Sequence, residues 1–122
     1  MAKKILVIDD EEMIIKSLEK LLEKNGYEVF VVKNGQDAIV MAEEETFDLL
    51  IADIRIPGIS GVEAVEQIYK NSKGRVKIPA IFITGYADDL MEKKAQKLSP
   101  VGYILKPFDT AELLNKIRSV IG

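Results

Sequence analysis

Three aspartates, a threonine and a lysine stand where short apolar runs of this chain end. Ile5-Leu6-Val7-Ile8 leads into Asp9-Asp10, Leu49-Leu50-Ile51-Ala52 into Asp53, Ala80-Ile81-Phe82-Ile83 into Thr84, and Tyr103-Ile104-Leu105 into Lys106-Pro107. Carboxylates, a hydroxyl and an ammonium are the groups that hold a hard divalent cation and grip a phosphoryl group. If the runs are parallel strands, their C-terminal ends share one edge of the sheet, which is where open α/β folds bind ligands.

Taken singly, each residue has an ordinary explanation. An aspartate at a strand end often caps the next helix, Thr84 could form a turn, and Lys106 could be a solvated loop lysine. Asp53 fits such a role least, because a loop follows it rather than an immediate helix. Clustering adds a physical objection: two carboxylates about 4 Å apart repel by roughly 4 kcal/mol at an effective dielectric near 20, so three acids with one lysine call for a cation or a raised pKa. Magnesium favours one or two carboxylates, waters and a phosphate oxygen. Asp10 and Asp53 can supply the carboxylates, while Lys106 and Thr84 would cover the other oxygens of a phosphoryl group on Asp53.

Composition narrows the partners. With 17 basic against 20 acidic residues and a net charge of -3, the chain lacks the basic face that nucleic acid demands. It has no cysteine, hence no disulfide and no thiolate site, which suits a reducing cytosol, and no histidine, so any metal is held by oxygen. The N-terminal apolar run is too short for a signal-peptide core, and no run approaches the length of a membrane span. A soluble, cytoplasmic protein with no membrane partner is expected, folded as one domain over residues 1–122.

The elements that must position these residues alternate strand and helix five times. Ile15, Leu18 and Leu22 recur at helical spacing before an Asn25-Gly26 stop; Val29 to Val32 form the second strand; Asn34-Gly35 is expected as a turn ahead of a helix carrying Ala38, Ile39 and Ala42 inward. Ser60-x-x-Glu63 has the form of a capping box opening a third helix with Val62, Val65, Ile68 and Tyr69 inward. A fourth helix is expected from Asp88 to Leu98, with Leu90, Met91, Ala95 and Leu98 inward and Pro100 beyond it. Asp109-x-x-Glu112 repeats the capping pattern before Leu113, Leu114, Ile117 and Val120. Such alternation implies right-handed crossovers and a parallel sheet covered on both faces. Strands one, three and four are continuously apolar and thus central, whereas Glu28 and Lys33 flank strand two and Gly102 sits in strand five, which makes those two the edges. The pattern is an α/β, (βα)5 flavodoxin-like doubly wound parallel sheet in the order 2-1-3-4-5.

With Asp9-Asp10, Asp53, Thr84 and Lys106-Pro107-Phe108 in this order, the whole chain resembles the receiver domain of two-component response regulators. The resemblance implies a phosphorylation-dependent switch in which Asp53 accepts a phosphoryl group from a phosphohistidine on a sensor histidine kinase or histidine phosphotransfer protein. It implies Mg²⁺ held by Asp10, Asp53 and the backbone carbonyl of Arg55, with Asp9 acting through a water, and a cis Lys106-Pro107 peptide. Thr84 and Tyr103 would form the switch, passing the change to the face of the fourth helix, fifth strand and fifth helix and so to a downstream protein. Ile14 would lie on the face that docks the histidine-bearing partner. The chain would be no enzyme beyond turning over its own phosphoryl group. Arg55 and Tyr86, two residues beyond Asp53 and Thr84, are expected to lean over the mouth of the site and prolong the phosphoform. Ser60 stands where the family often has an aspartate.

Two rivals remain at this level: a receiver-fold scaffold that is never phosphorylated, and a Mg²⁺-dependent phosphatase-like enzyme. A haloacid-dehalogenase-like phosphatase needs an aspartate two residues beyond its nucleophile, and Asp9-Asp10-Glu11 lacks it. The hydroxyl- and glycine-rich loop of a flavodoxin and the phosphate loop G-x-x-x-x-G-K-[ST] are absent too.

Overall fold

Five strands, β1 (Lys4–Ile8), β2 (Glu28–Val32), β3 (Leu49–Asp53), β4 (Ala80–Thr84) and β5 (Gly102–Leu105), alternate with five helices, α1 (Glu12–Lys24), α2 (Gly35–Glu44), α3 (Gly61–Asn71), α4 (Asp89–Gln96) and α5 (Thr110–Ile121). They are seen in a computed structural model that describes residues 2–85 and 88–122. All pairings are parallel and the sheet order is β2-β1-β3-β4-β5, with β2 and β5 at the edges.

Strand alternation divides the core into two layers. Leu6 and Ile8, Leu50 and Ala52, and Ala80 and Phe82 meet Ala38 of α2, Val62, Val65 and Ile68 of α3, and Ala95 of α4 on one side. Ile5 and Val7, Leu49 and Ile51, and Ile81 and Ile83 meet Leu18 and Leu22 of α1 and Leu113 and Ile117 of α5 on the other. A side chain as fully buried as Phe82 or Ile81 contributes roughly 1.5–3 kcal/mol. Because both faces are covered, the central strands carry no polar alternation, which explains their continuously apolar sequences.

Three expectations need correction. Asn34-Gly35 is not a free turn: the Asn34 side chain accepts the Asp37 N–H, so Asn34 caps α2 and Gly35 is its first residue. Leu90 is not inward but 67% exposed. The inward row of α4 runs through Met91 and buried Ala95 and on to Leu98, and Leu90 lies one residue off that stripe. The helix itself is also shorter than expected, ending at Gln96.

The Ser60 capping box is fully formed, with the Ser60 hydroxyl accepting the Glu63 N–H at 3.1 Å and the Glu63 carboxylate accepting the Ser60 N–H at 3.0 Å. At α5 the Asp109 carboxylate accepts the N–H groups of Ala111 and Glu112. Ser60→Ala is expected to lower unfolding stability by about 1 kcal/mol, the usual cost of a lost N-cap. Urea unfolding of the two proteins measures it, and an unchanged midpoint would contradict it.

Candidate functional site

The C-terminal ends of β1, β3 and β4 lie side by side because these strands are neighbours in register, with Ile8 beside Ala52 and Asp53 beside Ile83. Asp9 and Asp53 each follow a residue of the α2-α3-α4 layer, so alternation carries both toward the α1-α5 side. Thr84 follows Ile83 at the end of β4, the strand paired with β3, so it stands at the same C-terminal edge of the sheet as Asp53, with β5 and Tyr103 on its other flank.

Lys106 enters this cluster from the segment after β5. Its backbone N–H donates to the Thr84 carbonyl at 2.8 Å, and the Lys106-Pro107 peptide is cis. The Nζ lies 2.7 Å from Asp53 Oδ2, 2.8 Å from Glu11 Oε1 and 3.4 Å from Asp9 Oδ2. Asp53 Oδ1 accepts the Arg55 N–H at 3.1 Å, and Asp9 Oδ1 accepts the Glu11 N–H at 2.9 Å. The aspartate at the end of β1 thus does hold the start of the next segment, but α1 itself is preceded by Glu11 with no side-chain cap.

Asp9, Asp53 and Thr84 are buried, and Asp10 is exposed. Burial pushes the Asp9 carboxyl above its ordinary value; the Glu11 N–H works against this, the Asp53 charge adds to it, and Lys106 opposes it. Burial disfavours the Lys106 ammonium, yet hydrogen bonds to Asp53 and Glu11 and the nearby carboxylate charges outweigh it and hold the pKa above the usual lysine value. Lys106 therefore stays charged across the working range of pH.

One carboxylate oxygen from each of Asp9, Asp10 and Asp53 falls within 4.8 Å of the others. Three acids gathered this closely, two of them on the Lys106 ammonium, fit a hard divalent cation, whose charge would relieve their mutual repulsion. The exposure of Asp10 gives that cation a route in from solvent.

The Arg55 guanidinium lies 3.6 Å from Asp88, the N-cap of α4, with its side chain 56% exposed. Tyr86, its expected companion over the site, lies outside the described residues. Ile14 is half-buried against the α1-α5 layer, while its neighbour Met13 is 82% exposed. Tyr103 packs on the α2-α3-α4 layer, and its hydroxyl is buried with no hydrogen-bond partner among the described residues. Burial, with the carboxylates of Glu92 and Asp88, raises its pKa.

Sequence reasoning passed over Glu11 and Gly61. Glu11 binds Lys106 as closely as Asp53 does, and its only signal was its place directly after the aspartate pair. Gly61 opens α3 so close to β3 that a Cβ there would stand 2.1 Å from the Asp53 carbonyl oxygen. No spacing within the sequence announces that contact.

Residues 5–118 match the family model for the response regulator receiver domain. A probable transcriptional regulator of Pyropia yezoensis is 33% identical over 99% of this chain, which spans 54% of that relative's length, about half. A CheY-like response regulator receiver domain protein from Methanospirillum hungatei JF-1 superposes with a TM-score of 0.90 at 32% identity, covering 98% of this chain and 93% of the other. The receiver domain of a sensor histidine kinase from Pseudomonas aeruginosa PAO1, whose structure has a magnesium ion coordinated in the active-site cleft, superposes with a TM-score of 0.88 at 29% identity, covering 100% and 99%.

Proposed function

Since this chain belongs to the response regulator receiver domain family of two-component signalling, we propose that it is a phosphorylation-dependent switch whose phosphoacceptor is Asp53. Receiver domains work with histidine kinases and downstream effectors and bind Mg²⁺ at an acidic site. The observation that carries the finer reading is the 2.7 Å contact of Lys106 with a buried Asp53 beside Asp9 and Asp10.

In the proposed reaction a carboxylate oxygen of Asp53 forms a bond to phosphorus as the bond to the donor's leaving group breaks, a nitrogen for phosphohistidine or an acyl oxygen for a small acyl phosphate. Lys106 keeps its ammonium at Asp53 and donates to a phosphoryl oxygen, and the Thr84 hydroxyl donates to another. Asp10, Asp53 and the Arg55 carbonyl would hold Mg²⁺, with Asp9 acting through a water. Bound there, Mg²⁺ supplies neutralisation of the charge that gathers on the phosphoryl oxygens. The reading makes residues 1–122 a receiver domain that turns over its own phosphoryl group only, acts in the cytoplasm, and docks its histidine-bearing partner through the face around Ile14. Intact-protein mass spectrometry with acetyl phosphate and Mg²⁺ tests it: one added phosphoryl group is expected, and none would overturn it.

Asp10→Ala is expected to weaken Mg²⁺ binding more than Asp9→Ala, because the first removes a direct ligand and the second a partner of a bound water. Titration calorimetry compares them, and the reverse ranking would exchange the two roles.

Thr84→Ala is expected to accept phosphate but fail to transmit it. Phe82 and Thr84 of β4 are paired with Tyr103 and Leu105 of β5, and the Tyr103 hydroxyl, buried without a hydrogen-bond partner among the described residues, would change its surroundings when the threonine moves. NMR shifts over α4, β5 and α5 should respond to phosphorylation in the wild type and stay small in the variant. Equal responses would break the proposed coupling.

A further inference from the structure

Glu11 stands outside every role assigned so far, yet its Oε1 is 2.8 Å from the Lys106 Nζ. Of the three carboxylates that meet this ammonium, Asp9 and Asp53 also belong to the cation-binding cluster, and Glu11 does not. Their exposure differs in the same sense. The Asp9 and Asp53 side chains are 2% and 4% exposed, whereas that of Glu11 is 57% exposed, at the rim of the cleft. The Glu11 backbone is anchored, because its N–H donates to Asp9 Oδ1, while its carboxylate can exchange between Lys106 and water.

From this geometry we infer that Glu11 is a donor-selecting residue, which shares the Lys106 ammonium with Asp53 and sets a fourth carboxylate at the mouth of the cleft against small, highly charged phosphoryl donors. The inference rests on Asp53 being the phosphoacceptor. Two effects of the carboxylate act in one direction. It competes for the donor hydrogens of Lys106 that an incoming phosphoryl group needs. It also leaves the cluster of Asp9, Asp10, Glu11, Asp53 and Lys106 with an excess negative charge even when a divalent cation is bound, where its neutral isostere would leave none. A dianionic acyl phosphate meets that excess directly. A protein donor brings an imidazole-linked phosphoryl group together with its own docking surface and depends on the local charge far less.

One exposed charge acting over a few ångströms of partly hydrated space corresponds to roughly a three- to tenfold change in donor affinity. The effect should be screened by salt, because the Debye length shrinks to about 3 Å at 1 M. The test compares the wild-type chain with Glu11→Gln and Glu11→Asp, each at saturating Mg²⁺. Phosphate uptake is followed from acetyl phosphate and from phosphoramidate, which carries less negative charge at neutral pH. Glu11→Gln is expected to take up phosphate from subsaturating acetyl phosphate roughly three- to tenfold faster, through a lower KM rather than a higher maximal rate. The gain should be smaller with phosphoramidate and largely vanish at high salt, and Glu11→Asp should stay near the wild type. An unchanged or slower rate in Glu11→Gln, or an equal gain with both donors at both salts, would overturn the inference. Wild-type protein inert to both donors would instead overturn the reading of Asp53 and this inference with it.

Discussion

Asp53→Asn should abolish phosphate uptake from a small donor in the presence of Mg²⁺, leaving only the background of a chain without an acceptor. The amide is nearly isosteric with the carboxylate, so the fold is preserved while the nucleophilic oxygen is lost. The variant also removes the anion that Lys106 contacts at 2.7 Å, but the ammonium keeps Glu11 and Asp9 as partners. One neutralised acid in a crowded carboxylate cluster also lessens repulsion, which argues against gross unfolding. Intact-protein mass spectrometry of both proteins after incubation with acetyl phosphate reads the result. Equal uptake by wild type and variant would mean that another side chain is the acceptor.

Gly61→Ala is expected to impair the same reaction without touching any reacting group. The added Cβ would stand 2.1 Å from the Asp53 carbonyl oxygen and 2.9 Å from its carbonyl carbon, both main-chain atoms that no rotamer change can move aside. The Gly61 N–H also donates to the Ile54 carbonyl at 2.9 Å, so the start of α3 is already fastened to the peptide next to the one it would have to leave. Either α3 backs away or the end of β3 shifts, and a misplacement near 1 Å costs on the order of 100-fold in rate. The overpacking itself should lower stability by about 1–3 kcal/mol.

Gly35→Ala is the matched control for this substitution. Its Cβ would meet Ile59 side-chain carbons at 2.4 and 2.8 Å and the Ala64 Cβ at 3.2 Å, side-chain atoms rather than the main chain of Asp53, and the Ile59 side chain can rotate away. Urea unfolding and phosphate uptake measured on both variants separate the effects. Gly35→Ala should lose some stability and keep its uptake rate, whereas Gly61→Ala should lose both. Full uptake by Gly61→Ala would show that the end of β3 adapts.

The sequence by itself determined the order of elements, the layering and the edge strands. Each depends on information carried within a few residues: the continuous apolar runs of β1, β3 and β4, the Leu18-Leu22 and Leu113-Ile117 stripes of α1 and α5, and the serine and aspartate caps at Ser60 and Asp109. Strand ends are legible for the same reason, which places Asp9, Asp53 and Thr84 on one edge from the apolar runs alone. Errors fell where a local pattern has two meanings. Asn34-Gly35 serves a turn or a helix start equally well, and Leu90 sits beside the inward row of α4 rather than on it.

Tertiary structure alone decided how the site is wired. Lys106 meets Asp53, Glu11 and Asp9 across separations of 53, 95 and 97 residues, distances set by how β5 registers on β4 and how the chain turns after it. Glu11 is a solvated acid to any sequence pattern and becomes a partner of Lys106 only because α1 begins beside the end of β5's connection. Gly61 reads as an ordinary first helical residue until α3 is laid against the Asp53 peptide. Periodicity and capping are properties of neighbouring residues, whereas an ion pair or a steric contact belongs to two elements at once and exists only after both have been packed on the same sheet.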